Sequence, residues 1–210
     1  KSVFEKIAPG LSETTVVTDV GSAKQSVIRD AETVLGDKIC RFVAGHPIAG
    51  TEQSGVESAF KELYQNRRVI LTPTKSTESS ATDLVTAMWQ AAGAEVDTMS
   101  AEHHDRVLAG TSHLPHLLAF GLVDCLNNLE DVDEIFRFAA GGFRDFTRIA
   151  SSDPVMWRDI CLSNREEVLA MMKRYFQEMD KMYKALQESD GEKLKEIFVR
   201  AKKARDEFCG

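Results

Sequence analysis

Alternation constrains the fold of this chain more than any other property, and it stops near residue 100. Before that point, short runs rich in β-branched and apolar residues lie at 14–20, 40–45, 68–73 and 94–99. Stretches of helical periodicity, at 22–35, 53–65 and 78–92, separate them. Strand–helix–strand alternation of this kind builds a parallel sheet with crossover helices. Beyond residue 100 the strand signal disappears. Residues 101–126 read as one long apolar helix bearing Leu108, Leu114, Leu117, Leu118 and Phe120, kinked or broken at Pro115. A helix apolar around most of its girth is covered on several sides, and a second subunit would supply one of them. The remainder reads as a short helix over 131–140 and an interruption at Gly141-Gly142. A helix opening on Asp153-Pro154 follows. A long amphipathic helix capped by Asn164 spans 164–188, and a last helix covers 192–208. The expected class is α/β followed by all-α.

Composition narrows what such a fold does. The chain is 43% apolar and 28% charged, with a net charge of −7, which suits a folded protein and argues against nonspecific nucleic-acid binding. An anionic small molecule remains compatible, because a single arginine binds a carboxylate. Cys40, Cys125, Cys161 and Cys209 form no C-x-x-C pair and are expected as free thiols in a reducing cytosol. No apolar run approaches the roughly 18 residues of a transmembrane helix, and no signal peptide is recognisable, so the expectation is a cytoplasmic protein without a membrane partner.

Chemistry-bearing residues cluster where strand-like runs end. In open α/β sheets, ligands bind beyond the carboxyl ends of the strands. Phe42-Val43-Ala44 stops at Gly45-His46-Pro47, and the run through Asp19-Val20 stops at Gly21-Ser22-Ala23-Lys24, so His46 and Ser22 are expected to face one crevice. His46 reads either as a histidine capping a turn or as an acceptor for a substrate hydroxyl proton, stiffened by Pro47. Ser22 reads as a helix cap next to a solvated lysine, Lys24, or as a hydroxyl placed beside the reacting atom. Gly45 and Gly50 have phosphate-loop spacing, but Thr51-Glu52 replaces the required Lys-Ser/Thr.

In the second half, Arg148 sits among Phe143, Phe146 and Ile149, and a buried arginine needs a carboxylate: Asp145, Glu52 or a substrate. His103, His104, His113 and His116 suggest metal, but Pro115 between the last two and the lack of a nearby acidic or cysteine ligand argue against it, and no metal is expected. Asp105 is placed to orient one of these histidines, and His116 to make a polar contact inside an apolar helix.

Taken together, several segments resemble the prephenate dehydrogenase (TyrA) family. They are Asp19 to Lys24, Gly45 to Glu52, Leu71-Thr72-Pro73, His104-Asp105 with Thr111 to His116, and Gly141 to Trp157, in family order. The resemblance implies the C-terminal part of a Rossmann-type NAD(P)-binding sheet over 1–100. An all-helical substrate and dimerisation domain would follow over 101–210. It also implies oxidative decarboxylation of prephenate, or of arogenate, with NAD or NADP, in a homodimer. By this resemblance His46 and Ser22 are catalytic, and Ser22 and Pro47 lie on the cofactor side. Arg148, His116, Ser112, Gly141 and Trp157 contact substrate, Trp157 coming from this subunit or the other. Glu52, Asp105, Asp145 and His113 support them. A competing reading is a non-catalytic helical assembly module retained from such an enzyme. A related β-hydroxyacid dehydrogenase would need a helix-borne catalytic lysine, for which the sequence offers no convincing candidate.

Relative to the family pattern, the first βαβ and the glycine-rich turn are missing, since no G-x-G-x-x-G follows any strand-like run. The chain is therefore expected to be a C-terminal fragment of the enzyme or of a fusion, and to hold NAD(P) weakly by itself. Titration of NAD and NADP by calorimetry checks this; low-micromolar binding of either would contradict it.

Overall fold

The computed structural model describes residues 1–50, 55 and 58–209. The chain divides into two compact units, Lys1–Val168 and Leu169–Gly210. The first holds five short strands among the described residues: β1 (Val17–Thr18), β2 (Phe42–Val43), β3 (Gly45–Pro47), β4 (Arg68–Leu71) and β5 (Glu95–Thr98). β1 and β2 run parallel, Val17 opposite Phe42, and β4 and β5 run parallel, Arg68 opposite Glu95. β3 is antiparallel to β4, with His46 opposite Ile70.

That antiparallel pair departs from the all-parallel expectation, and its origin is local. Phe42 to Pro47 is nearly one extended segment. Its first half lies beside β1 and its second beside β4. The anticipated strand at 40–45 begins late because a 3₁₀ turn, Gly36–Arg41, precedes it, and it runs on through the anticipated turn at His46-Pro47. Proline is tolerated there for a geometric reason. The bonds from Thr72 N–H to the Ala44 carbonyl and from Ile48 N–H to the Arg68 carbonyl (both 2.8 Å) fall on alternate residues. Pro47 occupies the intervening phase, where the antiparallel ladder needs no N–H.

Both faces of this strand are covered, as its continuous apolar run requires. Val43 points into a cluster with Val69, Leu71, Ala81, Val85 and Trp89, beneath helix α3 (Ser79–Ala91). Phe42 and Ala44, one step away in the pleat, point the other way, against Phe4, Ile28, Ala31 and Leu35. These come from α1 (Ser2–Ile7) and α2 (Gln25–Leu35), and Phe4 meets Phe42 edge-on at 5.3 Å.

The helix expected over 53–65 is not formed in its described part, 58–65, which is a series of tight turns. Leu63, Gln65 and Arg67 bond the carbonyls of Phe60, Glu62 and Tyr64, three residues back. Only Tyr64 packs against the core, ring to ring with Trp89 at 5.0 Å, while Phe60 is exposed, so no apolar stripe rewards a helix.

The long apolar helix is three pieces in one line of chain: α4 (Ala101–Leu108), a π-helical turn (Ala109–His113) and α5 (Leu114–Asn127). Pro115 takes the first turn of α5, where its missing N–H costs nothing, and the π turn before it absorbs the irregularity. Short α6 (Val132–Arg137) and α7 (Gly141–Thr147) follow. Gly141-Gly142 therefore open a helix, and the break falls just before them. In α8 (Pro154–Ser163) the Asp153 carboxylate caps Met156 N–H at 2.7 Å, as anticipated. The chain then enters α9 (Arg165–Gln187).

In the second unit, the rest of α9 leads through Ser189, at φ 55°, to α10 (Gly191–Cys209), capped by Asp190 on Lys193 N–H at 2.9 Å. Leu169, Phe176, Met179 and Tyr183 on α9 are exposed. No helix among the described residues is long and apolar enough to cross a membrane.

Phe42→Ala empties the junction of β2, α1 and α2, where the ring is 1% exposed. It is expected to cost about 3–5 kcal/mol, measured by urea unfolding. A loss under about 1 kcal/mol would mean that this cluster does not hold α1 and α2 to the sheet.

Candidate active site

Where β1 ends, β2 and β3 continue, so the backbone of Gly45 has lost its neighbouring strand. Its polar groups are buried and need partners. Asp19 and Lys24 supply them. Asp19 Oδ1 accepts Gly45 N–H at 3.1 Å, and Lys24 Nζ donates to the Gly45 carbonyl at 2.5 Å. Lys24 also pairs with Asp19 Oδ2 at 2.5 Å. The lysine is fully buried, not solvated as the sequence suggested. Burial pushes its pKa down, and the Asp19 charge and hydrogen bond oppose that.

Asp19 Oδ2 accepts Gly21 N–H as well, at 2.8 Å. One carboxylate therefore holds Gly21 and Gly45, the residues immediately before Ser22 and His46. The two candidate catalytic residues therefore follow glycines held by a shared anchor.

His46 is 9% exposed. Its Nδ1 lies 2.8 Å from His104 Nε2, and His104 Nδ1 lies 2.8 Å from Asp105 Oδ1. His104 and Asp105, adjacent on α4, are both fully buried. The Asp105 carboxylate also accepts Lys24 N–H at 2.8 Å and Gln25 N–H at 2.9 Å, capping α2 from 81 residues away. Neither Ser22 nor Lys24 caps the helix with its own side chain. Burial would raise the Asp105 pKa, but the hydrogen bonds from His104 and from the backbone of Gln25 and Lys24 outweigh it and hold the carboxyl below its usual range. For His46, burial and then the neighbouring His104, Lys24 and His113 push the pKa down to about 3, against the pull of Asp105.

A second group of aromatics adjoins. His113, in the π turn, is fully buried, and its Nδ1 meets the Asn164 amide at 3.1 Å. The same amide nitrogen donates to the Asp105 carbonyl at 2.8 Å. Asn164, expected as a cap for α9, is thus turned into the site. Burial lowers the His113 pKa to about 4, with Asp105 opposing and His104 and His116 adding to the fall. His116 Nδ1 donates to the Ser112 carbonyl at 2.9 Å, and its ring lies flat on Trp157 of the same chain at 3.4 Å. That stack needs no second subunit. Burial lowers the His116 pKa too, against that backbone hydrogen bond. The ring nitrogens His113 Nε2 and Trp157 Nε1 are buried without a hydrogen-bond partner among the described residues.

Gly141 and Asp145 lie on α7, and Arg148 opens the 3₁₀ turn after it; both segments pack against α5, which carries His116. Arg148 and Asp145 are exposed, contrary to the buried arginine inferred from its apolar neighbours. Phe146 turns outward too, so those neighbours do not enclose it. Pro47 is buried in β3 beside His46. Glu52 lies outside the described residues. Sequence reasoning missed the burial of Lys24 and the linking roles of His104 and Asn164. Only the adjacency of His104 and Asp105 gave a signal.

Residues 1–98 match the family model described as prephenate dehydrogenase, nucleotide-binding domain, and residues 100–200 that described as prephenate dehydrogenase, dimerization domain. Cyclohexadienyl dehydrogenase of Zymomonas mobilis is 40% identical over 205 residues, covering 97% of this chain and 69% of that protein. The chain belongs to the prephenate dehydrogenase family. Prephenate dehydrogenase of Bacillus subtilis is 41% identical over 97% of the chain, which spans 55% of that relative's length. Among solved structures, family member prephenate dehydrogenase of Aquifex aeolicus, in complex with hydroxyphenyl propionate and NAD+, superposes with a TM-score of 0.90. Its sequence identity is 44%, over 99% of this chain and 72% of that one.

Two buried neutral imidazoles make the fold acid-sensitive in a defined window. Unfolded histidines take up protons near pH 6.5, while His46 and His113 resist protonation down to about 3 and about 4. As pH falls below 6.5 the unfolded state therefore binds protons that the folded state does not, and stability is lost, by up to about 1.4 kcal/mol per pH unit for each histidine. Urea midpoints at pH 7 and pH 5 check this. They should fall, and fall less in His46→Asn; a flat or rising profile would contradict the neutral assignment.

Proposed function

We propose that this chain carries the reaction site of an NAD(P)-dependent oxidoreductase. It oxidatively decarboxylates prephenate, or its amino analogue arogenate, in tyrosine biosynthesis. One observation supports this above the rest: a buried, neutral imidazole, His46, shares an anchoring carboxylate with the turn that bears Ser22.

The overall change is loss of CO2 from the ring and of a hydride from the carbon bearing the hydroxyl, leaving an aromatic phenol. The nicotinamide, when bound, accepts that hydride. The chain fits the nicotinamide end of such a cofactor. Ser22 follows the carboxyl end of β1 and Pro47 ends β3, and the Gly21 turn leaves little room for a side chain, since a Cβ there would meet Asp19 Oδ2 at 3.0 Å.

His46 takes the hydroxyl proton as hydride and carboxylate depart, and returns it to the phenolic oxygen once the ring is aromatic, so no net proton is released. A neutral imidazole is ready for this at physiological pH. Ser22 hydrogen-bonds the same hydroxyl beside the N-terminus of α2, where partial negative charge is favoured. Arg148 pairs with a substrate carboxylate, helped by Glu52 and Asp145, and His116, flat on Trp157, meets the substrate side chain with Ser112 and Gly141 nearby. The partner is a second copy of the chain, joined through the helical part, whose α9 leaves Phe176, Met179 and Tyr183 uncovered.

His46→Asn is expected to lower kcat by roughly 10²–10⁴ with little change in KM. Arg148→Gln is expected to raise KM by roughly 10- to 100-fold with a smaller effect on kcat. Steady-state assays with each substrate and cofactor, followed by nicotinamide absorbance, separate the two. Equal effects on KM alone would refute the assigned roles, and no effect of either would favour an assembly module.

A further inference from the structure

His46 and His104 meet nitrogen to nitrogen, and for a neutral His104 hydrogen-bond arithmetic allows one consistent placement of protons. The Asp105 carboxylate only accepts, so His104 Nδ1 carries the hydrogen in their 2.8 Å contact. A neutral His104 then presents a bare Nε2. His46 Nδ1 must donate to it across 2.8 Å, which leaves His46 Nε2 bare as well. That nitrogen is the one left to take a substrate proton.

We propose that His104 and Asp105 are positioning residues that hold His46 in the tautomer with a free Nε2 and stabilise the imidazolium formed when it accepts a proton. The proposal rests on the oxidoreductase reading and adds to it the device that sets the base. In the forward step the substrate O–H bond breaks and an N–H bond forms at His46 Nε2. The new charge is met at Nδ1–H by the His104 lone pair, behind which stands the Asp105 charge. The protons on His104 and Asp105 stay where they are. Among the described residues, the titratable groups that act on His46 are His104 and Asp105 from α4, Lys24 at the start of α2, and His113 from the π turn. Of these, Asp105 alone favours the protonated base.

The carboxylate has a second duty. Through Lys24 N–H and Gln25 N–H it also fixes the first turn of α2, and so the segment that carries Ser22. One residue thereby sets the tautomer of the base and the place of the hydroxyl that works with it. A carboxamide in place of Asp105 reverses the arithmetic. With its oxygen kept on Gln25 N–H, its NH2 donates to His104 Nδ1 and leaves Lys24 N–H without its acceptor; His104 Nε2 then carries the hydrogen, and His46 is driven to the Nε2–H form, which cannot accept a proton at that nitrogen.

Two measurements test this, and they fail independently. Nitrogen-15 spectra of ring-labelled protein report which nitrogen of His46 is protonated, with or without turnover. The wild type should show Nδ1–H at His46 and Asp105→Asn should show Nε2–H. In steady-state kinetics, Asp105→Asn and His104→Leu should lower kcat by roughly 10²–10⁴ while KM stays within about threefold. His104→Gln, whose amide both accepts from His46 and donates to Asp105, should recover most of that loss. If the wild-type His46 is already Nε2–H, or if His104→Gln loses as much kcat as His104→Leu, the proposal is overturned. Should Asp105→Asn not fold, the wild-type spectrum and the His104 pair still decide. Absence of dehydrogenase turnover in the wild type would overturn the functional reading alone and leave the tautomer to judge the positioning role.

Discussion

The Asp105 carboxylate holds three donors that come from two distant stretches of chain: the N–H groups of Lys24 and Gln25 at the start of α2 and the ring of His104. Its contacts continue into a closed circuit. From the start of α2, Lys24 reaches the Gly45 carbonyl; Gly45 precedes His46; His46 meets His104; and His104 returns to Asp105. Each polar group in the ring is satisfied by the next. In a dry interior such a network is costly to leave partly made, so it favours one arrangement over near alternatives. Packing supplies the sheet and its helices, and this ring decides how the strand edge, the α2 terminus and α4 meet.

The ring keeps little net charge in the interior. Lys24 is neutralised by Asp19, and Asp105 is spread over three hydrogen bonds. His46 and His113 are neutral near physiological pH, so each is an acceptor or donor rather than a buried ion. This matters because an unpaired buried charge is far more expensive than a buried hydrogen-bonded dipole.

Much of this was legible in sequence, and the limits are physical. The change from alternating to helical pattern near residue 100 marked the order of elements, because apolar periodicity records which faces are buried. The placement of Ser22 beyond a strand end followed from the same pattern, whereas His46, expected in a turn, sits inside β3. The antiparallel turn of the chain at Gly45 was not visible, because a short Gly-His-Pro segment carries turn propensity and only its tertiary partner, β4, makes it a strand. Lys24 looked like a solvated lysine, since local sequence does not show that Gly45 would lack a neighbouring strand. Asn164 looked like a helix cap because that is what asparagine does locally; its partners, Asp105 and His113, are more than fifty residues away. Arg148 was judged buried from its apolar neighbours, and the structure turns it outward.

His46 therefore belongs to a strand and not to a loop. Loops accept insertions and deletions and drift readily between relatives, whereas a strand residue is locked into pleat and register. Adding or removing a single residue between Phe42 and Pro47 would send alternate side chains to opposite faces, exchanging the imidazole for a core residue. Around His116 and Arg148, on helical segments, side chains change without shifting a ladder, whereas a change at His46 has to keep the register of the sheet.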